Sequence, residues 1–512
     1  MKKFTGLVVL IAVLVLGSYY GMGYLTEKRV KQDLKIVNQS NGLSVEVEKY
    51  NRGWFSSTAE LAWRLHVPEH VVTTQDGQSK TVSAEDYNLE MPLTIHHGPI
   101  IIVDKGVKFG LGYAHTDLAL PSKISEQFKS NFSSESTEPK LDLSLFVNYF
   151  SNSSVEASVP EFKLISKDNT GQLDWLGLTS STSISSDKNK VDGNITVEGL
   201  NFTKDQTKTV MSSITSEYDL HRSEGGIYLG DASVSFPSLV VTNSDKKLFE
   251  LSQFDVHSDT NIEEGLFSSH FRTSLDKVVV NDKTYGPGNL EVAIRNLDAA
   301  ALTKINEQAN QLQQGNDAQR QQALLAILPQ LPQLFSKGPE FEITEMNFTM
   351  PEGKIEGNLM VSLPKSDVAN PFELVQKVQG NGKLKVPAPV LKSILAQSLQ
   401  QKAAAPQTIQ QGIVQQMQQQ AAGQVTNLPN ADGASNTAQP ANSAAAATPA
   451  ANTTPAQTTE DPAADADKAL AAMVKSGLLV TQGSDYTIEL SFSQGQLTVN
   501  GKSFNQDMLK FQ

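Results

Sequence analysis

The chain has 512 residues, 39% of them hydrophobic, with 42 Lys and Arg against 55 Asp and Glu and a net charge of −13. That apolar content can bury a sizeable core, so a wholly disordered chain is excluded, and the length suggests about three domains' worth of material. An acidic chain without a basic patch excludes nucleic-acid binding. The absence of Cys removes disulfides, thiolate nucleophiles, Cys-ligated zinc, CxxCH haem attachment and lipoprotein acylation.

Met1-Lys2-Lys3 is followed by an uncharged run from Phe4 to Leu25. As a helix it spans about 33 Å, against a bilayer core of about 30 Å. Ser18, Gly17 and Gly21 offer small residues for signal cleavage, but Tyr19, Tyr20 and Tyr24 crowd them and suit an interfacial belt. The expectation is a cytoplasmic stub at 1–3 and a retained transmembrane signal anchor at 4–25, with a cleaved signal as the alternative. Lys28, Arg29, Lys31 and Lys35 beyond the run leave its orientation open on charge alone.

Strands follow. Leu43, Val45 and Val47 alternate with polar residues, and so do Ala59, Leu61, Trp63, Leu65 and Val67. Period two marks antiparallel strands with one polar face. Similar runs are Val107-Phe109-Leu111, Leu141 to Val147, Val191 to Val197, Ala232-Val234-Phe236, Ile355 to Leu363 and Tyr486 to Phe492. Ser185 to Asn189 and Asn281 to Gly288 read as turns or loops.

Helices come late. Leu297 to Leu334 is rich in Ala, Gln and Leu. Pro387 to Gln400 puts Val390, Leu391, Ile394, Leu395 and Leu399 on one stripe. Asp465 or Asp467 can cap a helix that Gly477 closes. Between them the Gln, Ala, Pro and Thr tract at 403–459 buries too little to fold, which predicts a disordered linker over 403–462. The β-rich body is expected over 26–402 and a completing helix and hairpin over 463–512. Aligning Gly353 with Gly495 suggests an internal duplication of a strand–turn–strand unit.

No catalytic, cofactor-binding or metal-ligating set emerges. His66 and His70 have the spacing of a helical zinc pair, but Pro68 between them argues against a helix. His96 and His97 in a strand point to opposite faces. His115, His221, His257 and His270 read as strand-face residues. Gly495 to Ser503 imitates a phosphate loop with one residue too many between its glycines. An enzyme is therefore the least favoured class.

One block stands out: Tyr50-Asn51-Arg52-Gly53-Trp54-Phe55-Ser56-Ser57. Two adjacent aromatics in a turn carry about 150–250 Å² of apolar surface each. The structural reading is that Trp54 and Phe55 plug the end of the sheet while Arg52 stacks on an aromatic or pairs with a carboxylate. Contact with a lipid interface or a partner is the other reading. With the Lys-Lys anchor and Ile95-His96-His97-Gly98-Pro99, this block resembles the YdgA-like family of Gram-negative envelope proteins. The resemblance implies an amino terminus in the cytoplasm and a β-rich body in the periplasm, held to the inner membrane by one span.

The expected fold is mainly β with α additions, a large curved antiparallel sheet with peripheral helices. The expected function is non-enzymatic: a groove for lipid or an extended partner, or a scaffold for another envelope protein without a groove. The groove resembles AsmA-like lipid-handling proteins in architecture only. Cofactors are not expected, and homo-oligomers remain open.

Overall fold

The computed structural model describes residues 16–28, 30–31, 43–67, 70–73, 79–82, 85–103, 106–244, 246–314, 326–366, 376–404 and 462–504. Residues 16–28 form helix α1. Among the described residues no helix is long and apolar enough to cross a membrane. Phe4 to Val15, the first part of the expected anchor, lies outside them.

The fold is mainly β, built on one large antiparallel sheet with few helices. Strands β1 (Leu43–Arg52), β2 (Ser56–Val67), β3 (His70–Thr73), β4 (Ser79–Val82) and β5 (Glu85–His97) come first. Next are β6 (Ile101–Val103), β7 (Gly106–Lys108) and β8 (Gly112–Leu118). Helix α2 (Ser122–Asn131) precedes β9 (Leu141–Val147), β10 (Ser153–Val159), β11 (Phe162–Ile165), β12 (Gly171–Trp175) and β13 (Leu178–Ile184). Then come β14 (Lys190–Val197), β15 (Leu200–Lys204), β16 (Thr207–Met211), β17 (Ile214–Arg222) and β18 (Tyr228–Asn243). The middle closes with β19 (Lys246–Glu263), β20 (Leu266–Val280), β21 (Lys283–Tyr285) and β22 (Gly288–Asp298). After helices α3 (Ala299–Gln314) and α4 (Leu331–Leu334) come β23 (Glu340–Met350), β24 (Gly353–Ser362) and β25 (Gln379–Pro387). Helices α5 (Ala388–Ala404) and α6 (Pro462–Ser476) precede β26 (Val480–Gln482), β27 (Asp485–Ser493), β28 (Gln496–Val499) and β29 (Lys502–Ser503).

Neighbours in the main ladder run β1–β2–β5–β8–β9–β10–β13–β14–β17–β18–β19–β20–β22–β23–β24–β25. Register sorts the side chains by face. Ala157, Ser180, Ile195, Ser216, Val234, Val256, Thr273, Leu290 and Met346 lie opposite one another in turn across nine strands. One residue along, the row reads Glu156, Ser181, Asn194, Glu217, Ser233, His257, Arg272, Glu291 and Glu345. One face is thus apolar with small hydroxyls, the other charged.

Among the described residues the apolar face is sealed at its start. Val45, Ala59, Leu61, Met91, Ile95, Ala114 and Leu118 from β1, β2, β5 and β8 are buried, with Val30 packed against them. Further along, the described residues between 141 and 287 include only three buried ones, Gly177, Gly199 and Leu229. Val234, Phe254 and Phe271 stay more than a third exposed.

A crease crosses this half-open region. Four long segments break into the pairs β10/β11, β12/β13, β14/β15 and β16/β17, at Pro160, Gly177, Gly199 and Ser212. Backbone bonds bridge the breaks: Leu176 donates to the Gly199 carbonyl and Glu198 to that of Gly177. Gly199 sits at φ +115°, and a Cβ there would lie 2.3 Å from the Met211 carbonyl oxygen. Strand β18 runs through the crease unbroken, pairing β17 on one side of it and β16 on the other.

Contact density divides the described chain into two units, residues 1–385 with 488–503 and residues 386–487 with 504–512. In the second unit Val386, Val390, Ala466, Leu470 and Leu479 are buried, and Lys392 pairs with Asp467 at 2.6 Å.

Several expectations change at this level. The run Val107-Phe109-Leu111 is not one strand: β7 stops at Lys108 and pairs with β6 in a separate hairpin, whereas β8 starts at Gly112 and pairs with β5 and β9 in the large sheet. The loop at 281–288 contains β21. Helix α6 starts at Pro462, so Asp465 sits inside its first turn and pairs with Lys468 rather than capping it. Helix α5 continues to Ala404, and the tract between it and α6, at 405–461, lies outside the described residues. Both hairpins of the proposed duplication form. Their two-residue turns are 351–352 and 494–495, so aligning the glycines leaves the hairpins one residue out of register.

Gly199→Ala is expected to destabilise the protein by about 1–3 kcal/mol, because an L side chain at this φ is strained whatever room it finds. The midpoint of thermal unfolding checks this, with Gly171→Ala as the control, since Gly171 has no left-handed φ and no atom closer than 3.5 Å to its Cβ position.

Candidate functional site

The Arg-Gly-Trp-Phe block forms the turn between β1 and β2. Gly53 N–H donates to the Ser56 carbonyl at 2.9 Å, which closes the turn, and Arg52 and Ser57 lie opposite each other as the last pair of the hairpin. Helix α1 lies against this end of the sheet. Tyr19 meets Phe55 edge-on with ring centroids 4.9 Å apart, and Tyr20 meets Trp54 at 5.5 Å.

Arg52 joins turn to helix. Its Nη1 donates to Glu27 and its Nη2 to the Tyr20 hydroxyl, both at 3.1 Å. The guanidinium also lies over the rings of Tyr20 and Tyr24, at 4.9 and 5.6 Å. It therefore both stacks and pairs. Tyr50 is half-buried beside the first core cluster, with the Lys31 ammonium over its ring at 5.5 Å, and burial raises its phenol pKa.

The Ile-His-His-Gly-Pro segment converges on the same end. His97 is 1% exposed, and its Nε2 lies 3.0 Å from the Ser57 hydroxyl. Its backbone N–H donates to the Phe55 carbonyl at 3.1 Å. A Cβ on Gly23 would lie 2.6 Å from the His97 ring, so α1 approaches as closely as glycine permits. Gly98, at φ +130°, leaves no room for a side chain beside the Tyr19 ring. The Tyr19 hydroxyl donates to the Ile100 carbonyl at 2.7 Å, and the Tyr149 hydroxyl donates to the carbonyl of Pro99. Tyr50, Arg52, Gly53, Trp54, Phe55, His97, Gly98 and Pro99 thus belong to one junction between helix and sheet.

One expectation is corrected. Trp54 and Phe55 do not plug the sheet: they are 58% and 55% exposed. Ile95, Ser57 and His97 fill the end of the core instead, and the two aromatics lie outside it with one face each on a helix tyrosine.

His97 and Ser57 place an imidazole beside a hydroxyl, the first requirement of an activated nucleophile. Both are buried, and the pair forms a polar contact beneath α1, where Gly23 meets the His97 ring. Among the described residues no group of three or more His, Asp and Glu is arranged to hold a metal. His66 and His70 lie on strands β2 and β3, not on a helix. His96 points away from His97, towards the rings of Tyr113 and His115. On the polar face His270 bridges Asp259 at 3.1 Å and Glu291 at 2.6 Å, beside a hollow of about 350 Å³. A second hollow of about 300 Å³ is lined mainly by Asn358, Asn381, Lys383, Glu489 and Ser491. Ser268 and Ser269 line the hollow beside His270, whose two ring nitrogens are already engaged by Asp259 and Glu291.

Sequence reasoning missed the apolar neighbours of this junction: Ile102 and Val107 on the β6–β7 hairpin, Phe109, and the Tyr149-Phe150 turn, all exposed. A short hairpin with apolar residues on its outward face was the available signal.

Trp54→Ala and Phe55→Ala are each expected to cost about 1 kcal/mol, not the roughly 3–5 of a core aromatic. Arg52→Ala is expected to cost about 1–2 kcal/mol, since it frees Glu27 and the helix tyrosines together. Thermal unfolding of the full chain ranks the three.

Burial holds the His97 pKa below its ordinary value, an effect that the Tyr19 backbone only partly offsets. The fold favours the neutral ring, so its contribution is complete above the unfolded pKa of about 6.5 and is lost as pH falls through the lower folded value. His97→Gln is expected to flatten the stability profile below about pH 6.5, read from unfolding midpoints across that range.

No curated protein matches the chain. A bacterial family described as a protein of unknown function (DUF945) matches residues 1–507, and the chain belongs to that family.

Proposed function

We propose that this protein is a non-enzymatic, inner-membrane-anchored envelope protein whose periplasmic body binds lipid hydrocarbon along the apolar face of its sheet. The observation that carries this reading is the half-open face from β9 to β20. A face so rich in Leu, Ile, Val and Phe, with small hydroxyls among them, is normally covered by a second layer, yet among the described residues between 141 and 287 only Gly177, Gly199 and Leu229 are buried. Leaving such a surface in water costs about 25 cal/mol per Å², and a hydrocarbon chain covers it without needing hydrogen bonds. The uncharged run that starts at Phe4 supports the anchor, although its later part, Tyr19 to Tyr24, packs on the sheet junction. The resemblance of the Arg-Gly-Trp-Phe and His-Gly-Pro blocks to YdgA-like envelope proteins supports the periplasmic placement.

Phe254 lies on the apolar face, opposite Phe236 and Leu275, and His257 on the polar one. A photoreactive amino acid at Phe254 of the full chain, activated in intact cells, is expected to give adducts with the mass of phospholipid. The same group at His257 is expected to give none. Equal yields from both faces, or no lipid adduct at Phe254, would overturn the assignment.

A further inference from the structure

The exposed apolar side chains around the α1 junction form one connected surface. Trp54 and Phe55 lie on Tyr20 and Tyr19. Tyr19 bonds to the Ile100 backbone, and Pro99 next to it accepts from Tyr149. Phe150 follows Tyr149 at 81% exposure, and Ile102, two residues from Ile100, is 74% exposed opposite Val107. Together Trp54, Phe55, Ile102, Phe109, Tyr149 and Phe150 leave on the order of 600 Å² of apolar surface uncovered, at the upper limit for a lone soluble surface.

Three independent features say what covers it. The uncharged residues Phe4 to Val15 immediately precede α1 in the sequence, and α1 itself packs on this surface through Tyr19 and Tyr20. Trp and Tyr dominate the contact between helix and turn, and these side chains favour the boundary between headgroups and hydrocarbon. Lys28, Lys31, Arg52 and Lys108 stand in or beside this junction, in a chain of net charge −13; Lys31 and Arg52 share the carboxylate of Glu27, at 2.7 and 3.1 Å, which leaves the group a net cationic surface. Cations around an apolar centre suit anionic headgroups.

We infer that this surface is a seat on the lipid bilayer: the 53–56 turn, the β6–β7 hairpin and the 148–152 turn sit in the interfacial layer and hold the body against the membrane beside its own anchor. The seat rests on the membrane anchor of the proposed function and is separate from the binding face. It also explains why Trp54 and Phe55 lie outside the core, since aromatics that face lipid need not fill the sheet. Val147, which pairs with Ser153 just before the Tyr149-Phe150 turn, belongs to the apolar face. That face therefore begins at the seat, where a hydrocarbon chain leaving the bilayer meets it without crossing water.

Because the chain has no Cys, a single introduced cysteine carries a spin label at one chosen place. Ile102→Cys and Phe150→Cys replace exposed side chains, and Lys204→Cys, at the far end of β15, is the control. Each labelled full chain is placed in vesicles of phosphatidylethanolamine and phosphatidylglycerol, and collisions with oxygen are compared with those of a water-soluble nickel chelate. Labels at 102 and 150 are expected to favour oxygen several-fold relative to the label at 204. An aqueous profile at 102 and 150, or labels shielded from both reagents as under a protein partner or a second copy, would overturn the seat. Failure of the chain to sediment with the vesicles would defeat the anchor as well. Aqueous labels on sedimenting protein would defeat the seat alone and leave a lipid adduct at Phe254 untouched.

Discussion

Everything in this structure follows from keeping one face of a very wide sheet apolar. Register is held across the ladder so consistently that Glu156, Glu217, Arg272 and Glu345 share one face while Val234, Val256 and Leu290 share the other. A slip of one residue in any strand would exchange the two sets. Two-residue turns and left-handed corner residues such as Lys188 and Glu264 fix the hairpins. Asp187 fixes one of them through its own carboxylate, which accepts from Ser185 and from the Asn189 backbone.

The N-terminal helix solves the covering problem for the first four strands only. Gly23 lets it close on the His97 ring, Val30 reaches the core cluster, and Arg52 ties it to the outer turn. Burying an imidazole costs free energy, which the bond to Ser57 partly offsets. The result is a helix docked by specific contacts.

Much of this was legible before the structure. Alternation in Leu43 to Val67, Leu141 to Val147 and Val191 to Val197 gave strand and face together. The Arg-Gly-Trp-Phe block announced a turn of consequence, and the pairing-or-stacking role of Arg52 followed from its chemistry. What stayed hidden was tertiary. Trp54 and Phe55 read as a plug because nothing local says that Ser57, Ile95 and His97 already fill that space. His97 stood out only through the His-Gly-Pro resemblance, and its burial stayed hidden, since its partners Gly23 and Ser57 lie 74 and 40 positions away. The crease was invisible because Gly177 and Gly199 look like turn residues, and only the bonds across them show that pairing continues. Helix α6 began earlier than its acidic residues suggested, since Pro462 suits a first helical position.

The ladder also sets a measure of reach. From β9 to β24 the neighbouring strands are separated by ten hydrogen-bonded spacings, and at about 4.8 Å each the apolar row has a contour length of about 48 Å. Each added hairpin lengthens that row by about 10 Å without disturbing the strands on either side, because every strand depends on its immediate neighbours. A chain built this way can grow or shrink by whole hairpins while its attachment stays fixed. The distance over which its apolar surface extends is then an inherited integer, set by how many hairpins the gene encodes rather than by how any one of them is packed.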